Sequence, residues 1–342
     1  MRQIRVLVVE DSLVFRELLV QNLNKDPAIE VVATASDPFE ARDAILEYKP
    51  DVMTLDIELP RMSGIEFLRK LMPQYPLPVV VISALSDKVF DALNAGAVDF
   101  VAKPVVTDRK QVEEFVRKEL PVKIKIASMA RISNIKKMAL GEEKPSFSVK
   151  DQNTVIAIGA STGGTEAILS VVKDFGADIP GVVIVQHMPP GFTEMYAKRL
   201  DDKCHVRVKE AKTGDRVLPG QVLIAPGGDM HMRLINVKGE YQVECKKGPK
   251  VNGHCPSVDV LFDSVAKAAG SKALGIILTG MGADGAKGLL SMRKMGAKTI
   301  GQDESTCVVY GMPKVAYDIG AVMYQEKLND IAKRTYALLN IM

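Results

Sequence analysis

The chain has little cysteine and no long hydrophobic run, and both shortages narrow what it can be. Its 342 residues include four cysteines, none of them in a C-x-x-C pair. Such sparse use argues against a disulfide-stabilised scaffold and fits a reducing cytoplasm. The longest apolar stretches fall far short of the roughly 20 residues that a membrane-spanning helix needs. The first of them, residues 4–9, is too short for a secretion signal and leads straight into acidic residues. We therefore expect a cytoplasmic protein without membrane insertion.

Net charge is also small, which weakens the case for nucleic acid as a partner. The formal net charge is +3, too low to indicate a nucleic-acid-binding surface. Its distribution is uneven: residues 1–123 carry 16 basic and 20 acidic side chains, whereas residues 153–342 carry 23 and 19. An acidic first part and a basic second part would favour docking between them. The same asymmetry can also arise by chance, and the sequence does not distinguish domain docking from chance.

Length and pattern together predict two α/β domains. A chain of 342 residues is long enough for two. In residues 1–122, short apolar runs alternate with amphipathic segments, which predicts a flavodoxin-like domain with a five-stranded, doubly wound parallel sheet. Strands are expected at 4–9, 31–34, 52–55, 79–82 and 100–101, with a last helix at 108–120.

Residues 123–152 break this rhythm and are predicted to form a linker. Apolar residues near helical spacing favour one helix there: Ile124, Met129, Ile132, Ile135 and Met138. The segment 141–145 combines glycine, charge and proline, which is typical of a flexible tether.

The α/β rhythm restarts in residues 153–342, the predicted second domain. Strands are expected at 155–158, 182–185, 222–224 and 274–278, with an antiparallel hairpin at 232–237 and 241–245. We therefore expect a second α/β domain with a mostly parallel sheet.

Polar residues follow four predicted strands of the first domain: Glu10 with Asp11, then Asp56, Ser83 and Lys103. The carboxyl ends of parallel strands meet at one edge of a sheet, where ligands bind. Three carboxylates at one point need a cation, and oxygen ligands suit Mg²⁺. An aspartate beside a cation, a hydroxyl and a lysine can accept a phosphoryl group, because the positive charges stabilise the transferring oxygens. Each residue alone would more often be a turn residue; their coincidence predicts a site.

This pattern resembles the receiver domain of two-component response regulators, over residues 2 to about 122. The resemblance implies that Asp56 is the phosphorylation site and that Glu10, Asp11 and Asp56 bind the Mg²⁺ needed for phosphorylation. It also implies three switch residues: Ser83, Phe100 and Lys103. Glu10 stands where many receivers have aspartate, a difference that keeps the charge.

A second set of polar residues follows strands of the second domain. Ser161 lies in a G-x-S-x-G sequence, where small residues allow a sharp strand-to-helix turn that exposes the hydroxyl. His187 follows the next strand and suits a general base. Asp284 lies in a glycine-dense loop after a later strand and suits an acid that orients a histidine. Alone, the three would read as a glycine-rich turn, a structural histidine and a helix N-cap. Together they are the groups that acyl transfer needs.

These three motifs and the segment 256–259, Pro-Ser-Val-Asp, resemble the chemotaxis protein-glutamate methylesterases, and the resemblance covers essentially the whole chain. It implies that Ser161 is the nucleophile, His187 the base and Asp284 the orienting acid, with Thr162 and the Met281 backbone amide in the oxyanion region. No cofactor is implied in this domain. The chain order Ser, His, Asp differs from that of α/β-hydrolases, so G-x-S-x-G does not place the domain in that fold.

The implied substrate is a glutamate γ-methyl ester on a cytoplasmic helix of a methyl-accepting chemoreceptor, and the implied phosphodonor is a chemotaxis histidine kinase. The resemblance also implies that the unphosphorylated receiver blocks the active site. The family also deamidates receptor glutamines, and the sequence leaves open whether this chain does.

Two other functions compete with this interpretation. A DNA-binding response regulator would share the receiver, but the second domain has no recognisable recognition helix. A dinucleotide-binding domain would need G-x-G-x-x-G, and Ser161 occupies the second glycine position. Histidines beside cysteines, at His205 and His254, match no zinc spacing, although His254 precedes the segment 256–259 and is a weak candidate for lining the cleft.

Overall fold

The computed structural model describes residues 2–84, 86–104, 109–132 and 154–340. The chain divides into two compact units, residues 1–136 and 137–342. The predicted helix positions Ile135 and Met138 and the predicted tether 141–145 lie outside the described residues.

The first unit has the predicted flavodoxin-like fold. Its parallel sheet has the order β2-β1-β3-β4-β5. The strands are β1 Ile4–Val9, β2 Ile29–Ala35, β3 Val52–Asp56, β4 Val79–Ser83 and β5 Asp99–Ala102. The helices are α1 Leu13–Leu23, α2 Pro38–Tyr48, α3 Gly64–Gln74, α4 Lys88–Asn94, α5 Arg109–Glu114 and α6 Leu120–Ala127. Every predicted strand is present, and the largest boundary difference is two residues.

Local sequence sets where the helices near the sheet edge begin. Ser12, Asp37 and Ser63 each precede a helix and accept a hydrogen bond from a backbone N–H of its first turn. Side-chain caps of this kind satisfy amides that have no partner inside the helix. The capped helices therefore fix the loops that follow β1, β2 and β3, and these loops lie at the carboxyl edge of the sheet with Asp11 and Asp56.

The last helical segment is longer than the sequence suggested. A π-helical stretch, Phe115–Glu119, joins α5 to α6, so helical structure continues to Ala127. Ile124 is fully buried within this unit. The predicted linker start at residue 123 therefore falls inside the helix, because Ile124 and Ala127 pack as core residues.

The second unit contains a seven-stranded parallel sheet with the order β14-β13-β12-β6-β7-β9-β8. Its strands are β6 Val155–Ala160, β7 Val182–Gln186, β8 Arg207–Glu210, β9 Gln221–Ile224, β12 Ala273–Ile277, β13 Lys298–Gln302 and β14 Tyr324–Glu326. A separate antiparallel hairpin pairs β10 Met230–Val237 with β11 Glu240–Lys247. The predicted mostly parallel sheet and the predicted hairpin are both confirmed. Strands β8, β13 and β14 were not predicted.

Six α-helices cover this sheet in the described residues. They are α7 Gly164–Lys173, α8 Phe192–Lys203, α9 Val258–Ala269, α10 Ala286–Lys294, α11 Met312–Asp318 and α12 Ile331–Leu339. The hairpin buries one face: Met232 and Leu234, two residues apart, belong to the same core as Leu261 and Val265 of α9. The hairpin therefore covers α9, the helix whose first turn adjoins the site described below.

Two predictions from the sequence concern disulfide bonds and membrane-spanning helices. All four cysteines are free thiols. In the part of the chain that the structure describes, no helix is both long enough and apolar enough to span a bilayer.

Candidate functional site

Ser161 and His187 lie side by side because of strand register. Ala160, the last residue of β6, pairs with Gln186, the last residue of β7. Ser161 and His187 are the residues that directly follow these two strands, and the His187 N–H donates to the Ala160 carbonyl at 3.2 Å. The parallel sheet thus brings together the two residues that the sequence proposed as nucleophile and base.

The turn after Ser161 is possible only with small residues. Gly163 adopts a left-handed conformation with φ of +75°, and a Cβ added to it would lie 2.7 Å from Val308 Cβ. A Cβ on Gly164 would lie 2.2 Å from Gln186 Oε1. Real side chains do not approach this closely. These small residues allow helix α7 to start three residues after the serine, at Gly164.

The Gln186 side chain links the residues that follow β6 and β7. Its Nε2 donates to the Ser161 carbonyl at 2.9 Å and to the His187 carbonyl at 3.2 Å. The side chain is buried. It therefore fixes the backbone of the serine relative to that of the histidine, a role that the sequence did not reveal.

His187 and Asp284 are in direct contact. The distance from His187 Nε2 to Asp284 Oδ2 is 2.8 Å, and both side chains are buried. With the hydrogen on Nε2, Nδ1 is left as the basic nitrogen. Nδ1 is buried and has no hydrogen-bond partner among the described residues. This arrangement provides a base whose orientation is fixed by an acid and whose free nitrogen is available for a proton.

Asp284 sits in a dense set of donors. Besides His187, its carboxylate accepts hydrogen bonds from Asn252 Nδ2, Ser257 Oγ and the N–H groups of Val258 and Asp259, at 2.7–3.2 Å. The last two amides belong to the first turn of α9, where the helix dipole favours a negative charge. Burial alone would raise the pKa of Asp284, but the contact with His187 and the hydrogen bonds from Asn252 and Ser257 hold it well below its usual range.

A second buried carboxylate, Asp259, lies beside the first. It accepts hydrogen bonds from Gly288 N at 2.7 Å and from Asn252 Nδ2 at 2.7 Å. Burial raises its pKa above the usual value, and the negative charge of Asp284 adds to the effect. The side-chain amide of Asn252 therefore donates a hydrogen bond to both Asp259 and Asp284.

The residues predicted for the oxyanion region lie in two segments next to the serine. A Cβ on Gly280 would be 2.7 Å from Ser161 Cβ and 3.1 Å from Ser161 N, so the loop carrying Met281 passes against the serine. Met281 is exposed. Thr162 is buried, and its carbonyl accepts a hydrogen bond from Thr279 Oγ1 at 3.0 Å. This fixes the two loops to each other.

In the first unit, the structure brings together the acidic residues that the sequence singled out. Carboxylate oxygens of Glu10, Asp11 and Asp56 lie within 4.8 Å of one another. Lys103 Nζ contacts Glu10 Oε2 at 2.9 Å and Asp56 Oδ2 at 2.5 Å. Burial raises the pKa of Glu10 to about 7, with the Asp56 charge contributing, despite the lysine. One ammonium therefore does not neutralise these three acids, and their oxygen donors fit a divalent cation such as Mg²⁺.

The other predicted receiver residues lie on the neighbouring strands. Ser83 ends β4 and is buried, and its carbonyl accepts a hydrogen bond from Lys103 N at 2.7 Å. Phe100 is buried in β5 and packs edge-on against Phe90 of α4, with ring centroids 6.4 Å apart. Phe100 thus adopts an inward orientation.

Three contributors to the second site escaped sequence reasoning: Gln186, Asn252 and Ser257. For two of them the sequence did hold a signal. Asn252-Gly253 is a strong turn dipeptide, and Ser257 lies in the segment 256–259, which was noted only as a family motif.

Comparisons with known proteins assign a family to each of the two units. Residues 156–335 match the CheB methylesterase family, and residues 6–116 match the response regulator receiver domain. The chain is 64% identical to protein-glutamate methylesterase/protein-glutamine glutaminase 2 of Syntrophomonas wolfei, with 99% of each chain covered. It is 46% identical to the protein-glutamate methylesterase/protein-glutamine glutaminase of Salmonella typhimurium, over 99% of this chain and 98% of that one.

A solved structure matches the second unit. The Thermotoga maritima CheB methylesterase catalytic domain has a TM-score of 0.53 and 39% identity, covering 54% of this chain and 98% of that one. The full-length identities and the two domain matches establish that the chain belongs to the CheB methylesterase family, with a response regulator receiver domain ahead of its enzyme domain.

Proposed function

We propose that this protein hydrolyses glutamate γ-methyl esters on cytoplasmic helices of chemoreceptors, using Ser161, His187 and Asp284, and that phosphorylation of Asp56 raises its rate. The observation that carries the chemistry is the 2.8 Å contact between His187 and Asp284, with the other nitrogen of His187 unpartnered among the described residues. The strand register that sets His187 beside Ser161 supports the choice of nucleophile.

The proposed reaction has two stages. His187 Nδ1 takes the proton of Ser161 Oγ as the oxygen attacks the ester carbonyl. The C–O bond to the methoxy group then breaks, His187 returns the proton, and methanol leaves. Water attacks the acyl-enzyme in the same way and releases the glutamate carboxylate and free Ser161. Asp284 stays ionised and stabilises the imidazolium. Backbone amides near Thr162 and Met281 would bind the oxyanion.

A second substrate fits the same steps. Several relatives carry the name protein-glutamine glutaminase as well as methylesterase. A glutamine side chain would release ammonia where the ester releases methanol. We include glutamine deamidation in the proposal because it needs no further group.

The receiver provides the proposed control. Glu10, Asp11 and Asp56 would hold Mg²⁺, which when bound would supply positive charge to the phosphoryl oxygens. Asp56 would accept the phosphoryl group from a chemotaxis histidine kinase, Lys103 would pair with it, and Ser83 and Phe100 would respond. We further propose that the unphosphorylated receiver occludes the active site, so that phosphorylation relieves inhibition.

The test is methanol release from methylated receptor, measured with and without Mg²⁺ and a small acyl-phosphate donor. We expect slow release without the donor and faster release with it. Absence of methanol under both conditions, from a folded protein, would contradict the proposed esterase activity. A rate insensitive to the donor, with Asp56 demonstrably phosphorylated, would contradict the proposed control alone.

A further inference from the structure

A tight turn at residues 251–254 touches both members of the His187–Asp284 pair. Val251 and His254 exchange two backbone hydrogen bonds, both of 2.9 Å. The two central residues, Asn252 and Gly253, have φ of +52° and +83°. Left-handed conformations at both central positions define the two-residue hairpin turn that favours Asn-Gly. Asn252, the first central residue, and His254, the last residue of the turn, both contact the His187–Asp284 pair.

Asn252 bridges the two buried carboxylates. Its Nδ2 donates to Asp259 Oδ2 at 2.7 Å and to Asp284 Oδ1 at 2.8 Å. One amide nitrogen carries two hydrogens, so both contacts can be made at once. A neutral donor between two acids satisfies an oxygen of each without adding a charge, and hydrogen bonds to ionised acceptors are the stronger kind.

His254 supports the other member of the pair. Its ring lies parallel to that of His187, with an interplanar angle of 8° and centroids 3.7 Å apart. A parallel stack uses the face of the His187 ring and leaves both nitrogens at its edge. The contact therefore restricts the tilt of the imidazole while Nε2 faces Asp284 and Nδ1 stays available.

We propose that Asn252 and His254 are positioning residues of this enzyme: the 251–254 turn holds the acid ionised and the base aligned. The inference rests on the proposed Ser161–His187–Asp284 mechanism. The titratable groups around the pair are Asp259 at the start of α9, His254 on the turn, and His231 of β10. His231 Nδ1 accepts a hydrogen bond from Ser257 N at 3.2 Å, and its Nε2 is 2.8 Å from the Pro249 carbonyl.

The direction of the pH effect follows from charge. Removing the Asn252 donor leaves the two carboxylates less stabilised, so the His187–Asp284 pair takes up a proton more readily. The acid limb of the pH profile then moves to higher pH, whichever of the two groups binds the proton. An added negative charge at residue 252 moves it further. A turn that served only stability would lower the rate without moving this limb.

Two substitutions test Asn252 in the full-length, donor-activated enzyme. Asn252→Gly removes the amide and tolerates the left-handed backbone, and Asn252→Asp keeps the shape but adds charge. We expect kcat for methanol release to fall about 10- to 100-fold in Asn252→Gly, the range for a hydrogen bond to a charged group, with little change in KM. The acid limb should lie lowest in the wild type, higher in Asn252→Gly and highest in Asn252→Asp.

The matched control is Asn236→Ala, because Asn236 also serves a tight turn of this domain: its Oδ1 accepts from Gly239 N at 2.9 Å in the exposed hairpin loop. It should leave both rate and profile unchanged. His254→Phe keeps a flat ring and should retain most activity, whereas His254→Ala should lose it about as Asn252→Gly does. These two variants also test the turn if Asn252→Gly folds poorly.

Wild-type rates in Asn252→Gly, or reduced rates with an unmoved acid limb in both Asn252 variants, would overturn the proposal. So would equal activity of His254→Phe and His254→Ala when neither Asn252 variant can be assayed. Ser161→Ala separates this failure from that of the mechanism. If Ser161→Ala is inactive while the turn variants behave as wild type, only the role of the turn is wrong.

Discussion

Two buried acids of this protein have pKa values that move in opposite directions, and the reason is the donors and charges that surround each. Glu10 and Asp284 are each only 1% exposed. Burial raises the pKa of Glu10 to about 7, because Lys103 and the Ser12 N–H do not compensate for burial and for the charge of Asp56. Burial pushes the pKa of Asp284 the same way, but the contact with His187 and the hydrogen bonds from Asn252 and Ser257 outweigh burial and lower that pKa. The second site is therefore built to keep its acid ionised, and the first to receive more positive charge.

Loss of the proposed nucleophile should abolish hydrolysis without unfolding the domain. We expect Ser161→Ala to release no methanol, because the proposed chemistry passes through the Ser161 oxygen.

Asp284→Asn should leave a folded but much slower enzyme, since the His187 tautomer is no longer fixed; the equivalent change in a serine protease costs about 10⁴-fold. Methanol release and circular dichroism are the measurements. Ser291→Ala, on the surface of α10, is the control, and near-normal turnover of Ser161→Ala would refute the assignment.

The raised pKa of Glu10 predicts a pH-dependent stability in the absence of Mg²⁺. Between its ordinary pKa of 4.5 and the value of about 7, the folded state binds more protons than the unfolded state. Stability therefore falls as pH rises through this window. Mg²⁺ should raise the melting temperature of one calorimetric transition, that of the first unit. In EDTA, we expect this melting temperature to drop between about pH 5 and about pH 8, and to drop less in Glu10→Gln.

Glu17→Gln, at an exposed position of α1, is the control for that experiment and should behave as wild type. An identical pH dependence in Glu10→Gln and wild type would show that Glu10 is not the group responsible. Glu10→Gln should also weaken the stabilisation by Mg²⁺, because one of the three clustered carboxylates is lost.

At the scale of helices and strands, predictability followed burial except at β13, which is buried but whose sequence, Lys-Thr-Ile-Gly-Gln, is not a continuous apolar run. The central strands β6, β7 and β12 are covered on both faces, so their sequences are continuous apolar runs that predict buried parallel strands. Strands β8 and β14 are the edges of the sheet, with the sequences Arg-Val-Lys-Glu and Tyr-Gln-Glu. An edge strand is half exposed and short, so its sequence does not differ from that of a loop. Only its pairing in the folded sheet reveals it.

The same reasoning explains which site residues the sequence could indicate. Asp56 follows a predictable strand of the first sheet, and Ser161 and His187 follow predictable strands of the second, so the position of each at the carboxyl edge of its own sheet follows from fold class alone. Asn252 and Gln186 act through contacts with residues 32 and 25 positions away. No local pattern encodes such distances, because they depend on how the loops close over the sheet.

The turn that presents Ser161 should be sensitive to packing as well as to backbone conformation. Gly163 and Gly320 both have φ of +75°, but an added Cβ meets Val308 at 2.7 Å in the first and nothing within 4 Å in the second. Gly320→Ala should cost only left-handed strain, about 1–2 kcal/mol. Gly163→Ala should cost about 1–3 kcal/mol more through overpacking. Thermal denaturation of both variants provides the measurement, and equal losses would show that the loop around Val308 relaxes freely.

At the scale of the whole molecule, each unit carries its site at the carboxyl edge of a parallel sheet. Such edges are where loops converge and where α/β proteins bind ligands. One chain thus contains a site suited to receive a phosphoryl group and a site suited to hydrolyse an ester. Their union in one polypeptide has a functional consequence only if the state of the first changes the rate of the second.

Removal of the receiver should therefore change the basal rate, and the proposed occlusion fixes the sign. A fragment of residues 150–342 should release methanol from methylated receptor faster than the unphosphorylated full-length protein, and a phosphodonor should not affect it. Full-length Asp56→Asn, the control, should stay at the slow rate with or without donor. If charge contributes to the inhibition, the slow rate should rise with salt, since exposed charges are screened over about 10 Å at 0.1 M. A fragment slower than the unphosphorylated whole would show instead that the receiver activates the enzyme, because a domain that only blocks access cannot be needed for turnover.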